Sequence, residues 1–285
     1  MDGEIYMDWS KAKNILIIAF IITNLFLAYV LIDSKNIDNP IIDDEFITDV
    51  RNLLLEKDIK IDSTIPTEIP SLPLLTIEYE TYKPVDLASK FLGQYTTENI
   101  EGKEYYRNGT ETLIINNENE IIYTNDDNVK KIESLEKKDL IKIAEDFIKD
   151  KGFASNDYKL SDFRESNGTY YIEYNKVIQD TFFEKSYMKF NIDASGIKKF
   201  ERYWVSSAEL GDNNMTLMSA PRALLKLITM KDAYGKTITD ISACYYLDLQ
   251  KHMSIGDPKK MKSGNATLAW RIQFSDGTKI FLEDN

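Results

Sequence analysis

The pattern of apolar and polar positions changes character along this chain. Ile15 to Ile32 reads ILIIAFIITNLFLAYVLI, 18 residues without a charge and apolar on every helical face. At about 1.5 Å of rise per residue this makes a helix of roughly 27 Å, close to the hydrocarbon thickness of a bilayer. A surface helix would show one apolar stripe instead. The pattern predicts a tail over residues 1–14, a transmembrane anchor over 15–32 and a stem over 33–73. Within the stem, Phe46, Val50, Leu53 and Leu54 recur at helical spacing and predict a helix from Phe46 to Glu56. Pro66, Pro70 and Pro73 then favour an extended spacer that lifts the rest of the chain off the bilayer.

Beyond the stem, one pattern recurs three times: a short amphipathic helix and then alternating strands. The first helix begins at Pro84, a good first-turn residue, buries Leu87, Ala88, Phe91 and Leu92, and stops near Gly93. Strands follow at 103–106, 110–115 and 120–124. Asn108-Gly109 is a hairpin signal whose two central positions need positive φ. The second helix takes Ser134 as N-cap, carries the stripe Leu140, Ile141, Ala144, Phe147 and Ile148, and ends at Gly152. Strands are expected at 158–164, 169–177, 185–192 and 196–205, with turns at Asn167-Gly168 and around Gly196. The third helix starts near Ser219 and Pro221 with the stripe Leu224, Leu225 and Ile228. Strands at 237–249, 268–274 and 278–282 complete the chain, the last two joined by Asp276-Gly277. The fold class is a β-rich α+β ectodomain of antiparallel sheets with a few short helices. It divides into two subdomains, 74–207 and 208–285.

Charge adds an orientation. Lys11 and Lys13 precede the apolar run; after it only Lys35 appears before Arg51, among Asp33, Asp38, Asp43, Asp44 and Glu45. Positive residues favour the cytoplasmic side, so the N-terminus is expected inside and the C-terminal bulk outside. Bulky residues from Ala28 to Ile32 do not suit signal cleavage, so a retained anchor is expected. A net charge of −12 argues against nucleic acid as a partner.

The supply of catalytic groups is poor. His252 is the single histidine and Cys244 the single cysteine. Neither a two-histidine relay nor an internal disulfide can form, and Cys244 reads as a buried strand residue. Asp126-Asp127-Asn128 lacks the spacing and closing Glu of a calcium loop and reads as a turn. No catalytic, cofactor or metal residue is expected. A glycosidase-type carboxylate pair stays open on counting alone, with 47 acidic residues.

One polar feature lies inside the anchor. Thr23 and Asn24 interrupt the apolar run, and such residues often mark a contact between helices, worth about 0.6–2 kcal/mol. Phe20, Leu27 and Ala28 lie one turn away and complete the candidate contact. A tail of 14 residues cannot hold a signalling domain, so any message must cross by touching another membrane protein.

The residues Met7-Asp8-Trp9-Ser10-Lys11-Ala12-Lys13, running straight into the span, resemble the start of the YycI family. Tyr245-Tyr246 and Trp270-Arg271-Ile272 in the last hairpins are similar too. The family comprises accessory proteins of the WalK/WalR (YycG/YycF) two-component system of low-GC Gram-positive bacteria. The resemblance implies a β-rich ectodomain shared with the C-terminal part of YycH, here 208–285. It implies association with YycH and with the sensor kinase WalK, partly through membrane helices, and control of cell-wall metabolism; oligomers are open. The leading expectation is therefore a non-enzymatic, membrane-anchored regulator working by contact. The alternative is an anchored cell-envelope module that grips a peptide or glycan, and an envelope hydrolase comes third.

Overall fold

The computed structural model describes residues 9–37, 43–247 and 262–284. The tail 1–8, residues 38–42 of the stem and His252 lie outside the described residues. The chain forms two compact units, Met1–Phe46 and Ile47–Asn285.

The first unit holds helix α1 (Trp9–Ile37). Its side chains are described at 13, 14 and 16–28, and all of these are exposed. Among the described residues no helix is long and apolar enough to cross a membrane. The stretch 16–28 would span about 20 Å of a hydrocarbon core roughly 30 Å thick. Anchoring over 15–32 thus stays an expectation from the sequence.

The stem helix is present as α2 (Asp44–Leu55), with Asp44 and Glu45 in its first turn, where they complement the helix dipole. Of the expected stripe, Val50 and Leu54 are buried, and Phe46 and Leu53 are exposed. Val50, Leu54, Ile59 and Ile65 belong to the core of the second unit. Much of the segment read as a spacer is therefore packed: Lys60–Ile61 forms β1 and Ser71–Tyr79 forms β2. Pro73 fits within β2 because it faces Asn214 at a register shift, where ladder bonds are already interrupted.

Helix α3 (Pro84–Leu92) is as expected, with Gly93 at φ +68° ending it. Strands β3 (Thr96–Ile100), β4 (Lys103–Asn108), β5 (Glu111–Asn116) and β6 (Glu120–Asn125) follow. β3 is exposed at every residue and has no alternating pattern, so the sequence did not announce it. The β4–β5 turn is one residue later than expected. Asn108 pairs with Glu111, and the loop is Gly109-Thr110 with positive φ at Gly109. Asn108 stays in the strand, where its amide donates to Leu92 O at 2.9 Å.

Helix α4 (Lys137–Asp150) also starts later than Ser134. Its N-cap is Glu136, and the Ser134 hydroxyl donates to Asp139 at 2.6 Å instead. Then come β7 (Tyr158–Ser166), β8 (Thr169–Ile178), β9 (Thr181–Asp193), β10 (Gly196–Tyr203) and β11 (Val205–Thr216). Asn167 and Gly168 both take positive φ, as their hairpin demands. The third helix is short: α5 (Ala220–Leu224) passes into a 3₁₀ turn, Leu225–Thr229. β12 (Thr237–Tyr246), β13 (Ser263–Phe274) and β14 (Lys279–Leu282) close the fold.

Fourteen described strands join in one sheet, in the order β11-β2-β13-β12-β9-β10-β6-β5-β4-β3. β1 pairs with β12, β14 with β13, and β8 with both β7 and β9. The β-rich α+β class is correct, but the sheet is mixed and not wholly antiparallel. β12 runs parallel to both β1 and β9. The reason is connectivity, because strands from distant parts of the chain meet without a hairpin to reverse them.

Two apolar cores flank this sheet. One gathers residues from 50–79 and 203–282, including Trp270 and Phe274, together with Phe183. The other gathers residues from 87–204, including Phe91, Phe190 and Phe200. β9 contributes to both, Phe183 to the first and Met188, Phe190 and Ile192 to the second.

Candidate functional site

The site grows from the alternation of β13. Leu268, Trp270, Ile272 and Phe274 share one face by the period of two and pack in the first core. Arg271 and Gln273 share the other face. In a half-solvated sheet they would be wet, yet Arg271 is 3% exposed and Gln273 7%. β14 repeats the arrangement, with Leu282 in the core and Lys279 on the polar side. Both faces of β13 are covered, because β7, β8 and β9 bring their own polar side chains over Arg271, Gln273 and Lys279.

These side chains form a connected ion-pair network. Arg271 donates through Nη1 to Glu184 at 3.0 Å and through Nη2 to Asp240 at 2.8 Å. Lys279 Nζ donates to the second Glu184 oxygen and to Glu173, both at 3.0 Å. Lys189 lies 3.7 Å from the other Glu173 oxygen. Ser242 donates to Asp240 at 2.8 Å, and Ser161 bonds Asn175. The Arg271 guanidinium lies 4.6 Å from the Phe182 ring centroid. Withdrawing an ion from water costs several kcal/mol, so the network holds only because its charges meet partners.

Proton affinities follow the same geometry. Burial alone would push the Glu173 carboxyl up, but Lys279 and Lys189 outweigh it and hold the group below the usual range. Burial would lower Lys279; Glu184 and Glu173 overcome that and raise it. Asp162 goes the other way, raised by burial and by nearby Glu173 against the pull of Arg164.

A cleft of about 550 Å³ opens over one end of the network. The buried Arg271 and Gln273 line it together with Asp240, Asp162, Arg164 and the exposed Lys137. Gln273 donates its amide to Asp162 at 2.7 Å, and Arg164 Nε donates to the same carboxylate at 3.2 Å. Two buried atoms of the lining residues, Arg271 Nε and Gln273 Oε1, have no hydrogen-bond partner among the described residues.

Nothing in the sequence reading singled out this network. Arg271, Gln273 and Lys279 alternate with apolar residues and look like a solvated face, and their partners Glu184, Asp162 and Glu173 lie on strands distant in sequence. A second buried cation was missed for the same reason. Arg202 donates to Glu80 through Nη1 at 2.6 Å and Nη2 at 3.1 Å, with Phe153 stacked 4.2 Å from its guanidinium.

The residues that were singled out stand as follows. Phe20, Thr23, Asn24, Leu27 and Ala28 are exposed on α1, and their spacing puts them on one face. Thr23 Oγ1 donates to Ala19 O and Asn24 Nδ2 to Phe20 O, each at 2.9 Å, so part of their polarity is satisfied within the helix. Cys244 is buried in β12, and its thiol is pushed well up by burial and then by Glu184. A protonated, enclosed thiol is a poor nucleophile. Asp127 closes a turn: its backbone N–H donates to Asn125, its carboxylate accepts from Val129 N–H, and Lys131 pairs with it at 2.7 Å.

Chemically, the network and its cleft can hold and orient a polar group through fixed donors and acceptors.

No curated protein matches the chain. Among solved structures it is similar to YycH from Bacillus subtilis, with a TM-score of 0.49 and 14% identity over 73% of this chain and 52% of that one. The chain thus spans about half the length of that protein. It is also similar to an uncharacterized protein from Eubacterium rectale ATCC 33656 (TM-score 0.47, 12% identity, 82% of this chain and 94% of that one). A third likeness is the Bacillus megaterium YpeB C-terminal domain (TM-score 0.37, 12% identity, 72% and 93%). The family assignment rests on none of these. A family model described as YycI protein matches residues 38–282, from before α2 to the last residue of β14, and the chain therefore belongs to the YycI family.

Proposed function

We propose that this protein is a non-enzymatic accessory regulator in the WalK/YycG two-component system, anchored by the apolar run 15–32 with residues 33–285 outside the cell. It acts on a sensor kinase of the WalK type, together with a YycH-type protein, through contacts of its membrane helix and of its extracytoplasmic part. The observation that carries this reading is the family match over 38–282, which spans nearly all of the chain beyond the apolar run. The run itself, with Lys11 and Lys13 before it, supports the anchor and its orientation. The face of Phe20, Thr23, Asn24, Leu27 and Ala28 is the proposed helix contact.

The test is in-cell crosslinking from Phe20 and Leu27 on α1 and from Asn99 on β3, with identification of the captured proteins. Capture of a membrane sensor kinase or a YycH-type protein supports the reading. Capture of neither from any position overturns it. Replacing 15–32 by an unrelated apolar helix should weaken co-purification with the kinase; undiminished co-purification would remove the membrane-helix part.

A further inference from the structure

We infer that β3 is an open sheet edge onto which a partner protein adds an extended strand. This deepens the regulatory reading and rests on it, because it assigns a surface to the extracytoplasmic contact.

β3 is the last strand in the sheet order and pairs only with β4 among the described residues. Each of its residues, Thr96 to Ile100, is exposed, which holds for no other described strand. Its register is pinned by the two-residue turn Glu101-Gly102, with φ of +52° and +79°. Such a turn makes Ile100 and Lys103 the pair that exchanges both backbone bonds. Bonded and unbonded pairs alternate along an antiparallel ladder, so Glu98 is bonded to Tyr105 and Thr96 to Arg107. Thr97 and Asn99 then direct their N–H and C=O groups away from β4, two donors and two acceptors along one open edge.

Exposed edges are usually blunted by proline, lysine, a bulge or a cover. β3 has no Pro and no Lys, and its register with β4 runs unbroken from Thr96 to Ile100. The other end of the sheet order differs. There β11 shifts register after Val205 and again after Leu210, where Gly211, Asp212 and Asn213 stand against the single Leu74. An edge so bulged is a poor template for another strand, and the regular edge of β3 is a good one.

Charge decides between occupants. Full-length antiparallel pairing with a second copy would set Glu98 against Glu98, and like charges directly opposite destabilise a strand pair. Arg107 lies 3.3 Å from Glu98, but both side chains are well exposed, and such a pair is weak. Glu98 can therefore take a second cation from across the edge. The occupant is a strand of a different protein with Lys or Arg opposite Glu98. Backbone bonds to Thr97 and Asn99 supply the affinity, and the side chains choose the partner.

The test is co-purification of the tagged full chain from detergent-solubilised membranes, with the WalK-type kinase and the YycH-type protein quantified in the eluate. Thr97→Pro removes an outward N–H and no bond to β4, at a position where an edge strand accepts proline. It should lower recovery of at least one partner about tenfold, whereas Thr97→Val, which keeps the N–H, should leave recovery unchanged. Glu98→Lys alters only an exposed side chain and should lower the same recovery about tenfold, whether or not the proline variant folds. Undiminished recovery of both partners with Thr97→Pro overturns this inference and leaves the regulatory reading standing. Equal losses with Thr97→Val and Thr97→Pro overturn backbone pairing, and undiminished recovery with Glu98→Lys overturns the opposed cation. Recovery of neither partner with the parent chain overturns both readings. Self-association of the parent chain that Thr97→Pro abolishes, measured by light scattering, gives the edge to a second copy and overturns the assignment to a different protein.

Discussion

Glu184 on β9 and Arg271 on β13 meet at 3.0 Å, with side chains only 2% and 4% exposed, far apart in sequence and in the middle of the sheet. Glu184 also accepts from Lys279, so one carboxylate is shared by two buried cations. It stands near the seam between the two apolar cores.

Removing that carboxylate should be more harmful than removing the whole network. Glu184→Leu strands Arg271 and Lys279 in a poorly solvated space, each with one acidic partner left. The expected loss is about 3–5 kcal/mol, as for other buried pairs deprived of one member. The fourfold change Glu184→Leu, Arg271→Met, Lys279→Met, Glu173→Gln takes two buried carboxylates and two buried cations away together and should cost less than Glu184→Leu alone. Urea unfolding of the purified full chain, followed by tryptophan fluorescence, compares the two. A fourfold variant less stable than the single one would show that the network contributes more than its own desolvation.

Glu173, Asp162 and Lys279 each make stability depend on pH. Glu173 is held below its ordinary value, about 4.3, because Lys279 and Lys189 outweigh burial. Its contribution is complete above that pH and is lost as pH falls through the lower folded value. Lys279 is raised above its ordinary value, about 10.4, by Glu184 and Glu173 against burial. Its contribution is complete below that pH and disappears as pH climbs through the higher folded value. Asp162, raised by burial and Glu173, opposes Glu173 on the acid side, because its proton is held more tightly in the folded state. Glu173→Gln should therefore flatten the acid limb of a midpoint-against-pH curve and leave the shape of the alkaline limb to Lys279. An acid limb as steep in the variant as in the parent would contradict this.

What the sequence made legible follows the range of the interaction. α3 was readable from Pro84 to Gly93 because its start, stripe and stop are local signals. The Asn167-Gly168 turn was readable because two positive φ angles demand those residues. The turn at Gly109 slipped by one position because Asn108 is kept in β4 by Leu92 O, a contact 16 residues away. The parallel pairing of β9 with β12 and the burial of Arg271 were not readable at all. Both depend on which strand covers which, and an alternating strand looks the same wet or buried until its neighbour is known.

The proposed helix contact makes a quantitative demand on Asn24. One of its amide N–H groups is already used on Phe20 O, so its carbonyl and remaining N–H are what a partner helix would gain. Asn24→Leu should weaken association with the membrane partner by roughly 3- to 30-fold, corresponding to about 0.6–2 kcal/mol. A fluorescence-transfer titration in vesicles measures it. Thr23→Val should do less, because its hydroxyl proton is already donated to Ala19 O. Equal association of Asn24→Leu and the parent chain would place the contact elsewhere.

Gly277 ties the last hairpin to the cleft and can be tested through its neighbour. It sits at φ +82° in the turn between β13 and β14, where its N–H donates to Phe274 O at 2.9 Å. A Cβ at this position would lie 2.2 Å from Arg164 Nε and 2.8 Å from its Cδ and Cζ. Gly277→Ala thus carries two separable penalties. The left-handed backbone costs about 1–2 kcal/mol, and Arg164 must leave its place against Asp162. The second penalty requires the arginine; the first does not. In an Arg164→Ala background, Gly277→Ala should therefore lose only the backbone part, and a double-mutant cycle should show coupling between the two sites. Equal losses in both backgrounds would mean that Arg164 does not rest on Gly277, and that the turn and the Asp162 side of the cleft are independent.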